Sequence, residues 1–223
     1  QLAEWLSSYI PHGYAPRDFR CGGDFLNELI SSLKKSIDDK YLLKIGDACS
    51  LILQRWIKKP ENERDEIDVA VLYHTLVFME GYNSSNPDNL AEVIISLLNN
   101  PKWYEKRSRE YNDLEARLLL VLAGALWQCS NPKKYISVYE KVISFIDVYQ
   151  GPVINCILYL DEEKFFVILP GVINKMANPE LILIGLFIIL KEKPELLQTY
   201  KEIFSAQGWN KHVKEENLQK YLD

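Results

Sequence analysis

The stretch from Asn178 to Lys193, NPELILIGLFIILKEK, constrains this chain more than any other. From Leu181 to Leu190 it is apolar without a break. A helix apolar on all sides demands burial on all sides. A second run, Leu118 to Trp127 (LLLVLAGALW), makes the same demand. The other segments are amphipathic and offer one face each. The expectation is a central layer of greasy helices wrapped by half-greasy ones, with Leu186 fully buried. Both runs stop at about ten residues, well short of the ~18 apolar residues of a spanning helix, so no membrane insertion is expected.

The wrapping segments read as follows. Leu2, Trp5, Leu6, Tyr9 and Ile10 fall at helical spacing, and Pro11 ends that helix. An irregular loop, Pro11 to Asp24, precedes a helix with Leu26, Leu29, Ile30, Leu33 and Ile37 on one face. Asp38-Asp39 marks a turn, after which Leu42, Ile45, Cys49, Ile52, Leu53 and Trp56 form the next face. Pro60 breaks the chain. Asp65 can cap a helix whose apolar positions run from Ile67 to Met79, and Gly81 suits its end.

Asn-Pro then recurs, at Asn86-Pro87, Asn100-Pro101, Asn131-Pro132 and Asn178-Pro179. An Asn side chain accepts an orphan backbone N–H at a helix start. Proline fits the first helical position, where no N–H is needed. Each pair therefore announces a helix. Leu90, Val93, Ile94 and Leu97 follow the first as one face; Tyr135, Val138, Tyr139, Val142 and Ile146 follow the third. Asn112 or Asp113 opens the Leu118–Trp127 helix. Lys193-Pro194 starts a helix carrying Leu196, Leu197, Tyr200 and Phe204, and a short one follows Asn210.

Residues 152–169 admit two readings. Val, Ile, Phe and Tyr dominate both arms, as in a short β-hairpin turning at Asp161. Two helices split by a cap at Asp161, with Pro170 near the end of the second, agree better with the helical neighbours. The expected fold is all-α, about ten helices in antiparallel hairpins, arranged as an irregular HEAT-like α-solenoid or a closed helical bundle. The gaps between Asn-Pro pairs are unequal, so no fixed-period repeat is visible in them. The whole chain, 1–223, reads as one helical domain, and its start at Gln1 rather than Met suggests a fragment of a longer protein.

Net charge is −5, spread over both halves, with no basic stripe; this argues against nucleic acid as a partner. Four scattered cysteines without a CxxC pair fit ordinary buried thiols in a cytoplasmic or other intracellular soluble compartment. Three histidines, none at helical spacing from another, make no zinc set. The acids at Glu61–Asp68 and Asp161–Glu163 sit at helix starts, where the dipole explains them without a metal. GxGxxG, GxxxxGK[ST] and GxSxG are absent. No cofactor, metal or catalytic residue is therefore assigned.

Two segments are candidate contact sites for another protein. The Pro11–Asp24 loop carries Tyr14, Arg17 and Arg20. The stretch Asn100–Tyr111 carries Trp103, Tyr104 and Arg107, residue types favoured at protein interfaces. The function expected is a non-enzymatic interaction module, a helical scaffold presenting a groove or surface to a partner protein. One alternative is an immunity- or inhibitor-type protein masking a basic partner. The other is a helical enzyme or small-ligand binder using the 11–24 loop, where Cys21, His12 and an acid could cooperate.

Overall fold

A computed structural model describes residues 38–63, 84–100, 114–214 and 216–218, together with Leu72, Thr75, Leu76 and Met79. The helices read at 2–10 and 24–37, and the loop joining them, lie outside the described residues. So does most of the helix read from Ile67 to Met79. Its four described residues are helical and buried, at the spacing of one helix face. All regular elements among the described residues are helical, with no strand. The chain divides into two compact units, residues 1–160 and 161–223.

In the first unit, α1 spans Asp39–Lys58, α2 Pro87–Leu98 and α3 Leu114–Gln128. A 3-10 stretch, Pro132–Val138, runs directly into α4, Tyr139–Ser144, and α5 spans Gln150–Leu160. The predicted face of α1 is buried from Ile45 to Trp56, and that of α2 at Leu90, Val93, Ile94 and Leu97. The greasy helix α3 packs most extensively on α2 and α5. Leu118, Leu119 and Leu122 are fully enclosed there. Each such side chain contributes about 2 kcal/mol by leaving water.

Side-chain ties set the direction of these helices. Asp88 of α2 accepts from Ser130 Oγ (3.2 Å) and Tyr135 Oη (3.2 Å). Glu92 meets Lys134 at 2.7 Å, and Asn99 accepts from Lys141 Nζ at 3.1 Å. Both members of each pair advance together along the chain, so α2 and the 132–144 segment run parallel. The same holds for α3 and α5. Tyr149 donates to Glu115 (2.7 Å), Cys156 Sγ to the Leu119 carbonyl (3.1 Å), and the Trp127 and Tyr159 rings meet edge to face. Asp47 fastens α1 to the entry of α2, accepting from Ser84 Oγ (2.9 Å), Ser85 N (2.8 Å) and Ser85 Oγ (2.6 Å).

In the second unit, α6 spans Glu162–Ile173, α7 Glu180–Leu190 and α8 Pro194–Ala206, followed by a 3-10 turn at Trp209–His212. Gly208, the one described residue with a left-handed backbone (φ 64°), lets the chain reverse between the last two. Phe187, Tyr200, Phe204 and Trp209 interlock edge to face. Their polar atoms are satisfied: Tyr200 Oη donates to the Leu183 carbonyl (2.8 Å) and Trp209 Nε1 to Asn174 Oδ1 (3.0 Å). Lys193 binds Glu162, and Asn174 Nδ2 donates to Gln207 Oε1 (3.3 Å), so α6 and α8 also run parallel.

Residues 152–169 are helical, and the hairpin reading is corrected. The Asp161 side chain accepts from Lys164 N (3.2 Å), so the apparent turn is a helix cap. Pro170 lies inside α6, close enough to its end for the helix to tolerate the missing N–H. The Asn-Pro reading holds more narrowly than expected. Asn86 caps α2 through its side chain, accepting from Asn89 N at 3.1 Å. Asn131 makes no such bond, and Pro132 opens 3-10 rather than α structure. At α7 the N-cap position falls on Pro179, which has no side-chain acceptor to offer.

Candidate functional site

The expectation that both greasy helices are sealed on all sides fails, and the failure locates the candidate site. Helix α7 buries Leu183, Leu186, Phe187 and Leu190. Its opposite edge is open: Leu181 is 81% exposed and Ile188 54%. These positions are seven residues apart, two turns along one face, with Gly185 between them. A Cβ placed on Gly185 would meet nothing within 4 Å. Ile182, Ile184 and Ile189 flank this edge half-exposed. No side chain between Leu181 and Leu190 can hydrogen-bond, so the face offers packing and nothing else.

Helix α3 carries a narrower version of the same edge. Leu120 and Trp127 are each 39% exposed, again seven residues apart, with Gly124 between them and open space at its Cβ position. Here the flanking Val121, Ala123 and Ala125 are buried. The opening is one residue wide, because α2 and α5 close on both sides.

The polar groups around these helices are occupied in holding the fold. The Asp88, Glu92, Ser130, Lys134 and Tyr135 cluster ties the 132–144 segment to α2 by the bonds given above. Cys129 sits beside it. Burial, reinforced by the Asp88 carboxylate, pushes its thiol up to about 12. Burial alone moves Cys49 to about 12, and burial also raises Cys156, against the opposing pull of a backbone hydrogen bond. A nucleophilic cysteine requires the opposite shift, toward the thiolate, so these three thiols behave as small apolar side chains. Among the described residues no group of three His, Cys, Asp or Glu side chains could hold a metal ion. Among them, too, no helix is long and apolar enough to cross a membrane.

The candidates read from sequence, Tyr14, Arg17, Arg20, Trp103, Tyr104 and Arg107, all lie outside the described residues. The open edges of α3 and α7 escaped that reading. A signal for them was present in each run: a lone glycine inside a helix that should be tightly packed, placed between two large apolar residues. No family model, curated protein or solved structure matches the chain.

Proposed function

We propose that this protein is a non-enzymatic interaction module, an irregular HEAT-like helical array that presents an apolar edge to a partner protein. The observation that carries the reading is the open face of α7, with Leu181 and Ile188 in water on a helix that has no charged residue from Leu181 to Leu190. A contiguous exposed apolar face is the usual mark of a surface that another protein covers. Helix direction supports the array. Three helices, α2, α3 and α6, are tied by side chains to the next but one, in parallel, as in stacked helical pairs. The 11–24 loop and the 100–111 segment, with Tyr14, Arg17, Arg20, Trp103, Tyr104 and Arg107, are further contact candidates in this proposal.

The test compares wild type with a Leu181→Glu/Ile188→Glu variant in crosslinking and affinity capture from the source cells. The reading expects a protein retained by wild type to be lost by the variant, with the variant's melting midpoint unchanged. Trp103→Ala/Arg107→Ala, run beside it, reports on the second segment. Equal recovery of the same proteins by wild type and both variants would remove the proposal.

A further inference from the structure

The two open edges belong to a larger correspondence. Leu120, Leu122 and Gly124 in α3 match Leu181, Leu183 and Gly185 in α7 at a constant displacement of 61 residues. The inner face follows the same displacement: Leu122, Ala125, Leu126 and Cys129 are buried, as are Leu183, Leu186, Phe187 and Leu190, whereas Val121 and Ala123 are buried and their counterparts Ile182 and Ile184 are half-exposed. Tyr139 and Tyr200 obey it and are both buried. So does a contact. Cys156 Sγ reaches the Leu119 carbonyl, while Asn217 Nδ2 reaches the Glu180 carboxylate (3.3 Å). The four residues in these two contacts pair at 61.

The elements on either side correspond as well. Helices α2 and α6 are each 12 residues long. Each is capped by a side chain that accepts the N–H three residues on, from Asn86 and from Asp161. Their buried residues Leu90, Ile94 and Leu98 match Phe165, Leu169 and Ile173 at a displacement of 75. Each helix is followed by an asparagine: Asn99 accepts from Lys141 in α4, and Asn174 donates to Gln207, the residue after α8. The third segment begins with proline in both cases, Pro132 opening 3-10 and Pro194 α structure, at a displacement of 62.

We infer that the chain contains an internal duplication: a capped helix, an apolar rod and a proline-started helix, first as α2, α3 and the 132–144 segment, then as α6, α7 and α8. The displacement falls from 75 at the first helix to 61 at the rod: residues 99–113 precede the rod in the first copy and 174–179 in the second, and α3 begins five residues before the counterpart of the α7 start. The open apolar–glycine–apolar edge is then a property of the unit rather than an accident of one helix. The inference does not depend on any partner.

The duplication assigns the repeat boundary to the bond between Leu160 and Asp161, since Asn86 and Asp161 are equivalent caps. A second copy of residues 86–160 inserted there should extend the array. The measurement is helicity per residue by circular dichroism, with limited proteolysis, on that insertion. A control carries the same residues permuted, 124–160 followed by 86–123. The in-phase insertion should hold wild-type helicity per residue and resist cleavage within the insert. The permuted one should lose helicity and be cut there. If the two behave alike, whether both fold or both fail, the duplication is overturned.

Discussion

Helices α3 and α7 are the two most apolar stretches of the chain, and they meet water differently. Helix α3 lies between α2 and α5 and keeps only a one-residue seam open, at Leu120, Gly124 and Trp127. Helix α7 packs its inner face on α8 but leaves Leu181 and Ile188 outside, with half-exposed isoleucines beside them. The more uniformly apolar helix is thus the less enclosed one. Hydrophobicity all round states a demand for cover; the number of neighbouring helices decides how much of it is met. Unmet demand on a helix this apolar is what the proposed partner would satisfy.

The largest effects should come from the inner faces, where the two helices are alike. Leu122→Asp and Leu186→Asp each place a carboxylate among apolar side chains, and each should cost more than about 4 kcal/mol, seen as loss of the cooperative melting transition. A variant of either kind that melts like wild type would remove that helix from the core. Truncation should separate the two. Leu122→Ala opens a cavity walled by two helices and should cost about 4 kcal/mol, against about 3 kcal/mol for Leu183→Ala, read by urea denaturation. A reversed order would mean that α7 is the better enclosed.

Smaller effects test the shared design. Asn86→Ala and Asp161→Ala each remove one cap bond and should each cost about 1 kcal/mol, measured the same way. A cost confined to one of them would weaken the equivalence of α2 and α6. Smallest of all, Leu181→Glu and Ile188→Glu should shift stability by no more than about 0.5 kcal/mol, because the side chains are already in water. A penalty of about 2 kcal/mol or more would show that the edge is covered within the chain.

Much of this was legible in the sequence, because most helices carry one face at a clean period. Leu90, Val93, Ile94 and Leu97 are buried as their spacing requires, and Asp161 caps α6 by accepting from Lys164 N. The α7 edge was not legible, since periodicity vanishes when every position is apolar and no face is distinguished. The duplication was hidden for another reason. The Asn-Pro pairs are unequally spaced, and the number of residues between the first helix and the rod differs between the two inferred copies. The constant displacement is carried by Leu122, Leu126 and Tyr139 and their counterparts, which are buried. Direct ties between alternate helices, such as Lys134 to Glu92, join residues far apart in sequence and could not be read from any local pattern.

Hydroxyl-radical footprinting of the native protein, read residue by residue by mass spectrometry, tests most directly whether one side of α7 faces water. Leu181 and Ile188 should be oxidised at rates near those of the unfolded chain. Leu183, Leu186 and Phe187 should be protected, and Leu120 and Trp127 should fall between. Protection of Leu181 and Ile188 equal to that of Leu186 would contradict the account.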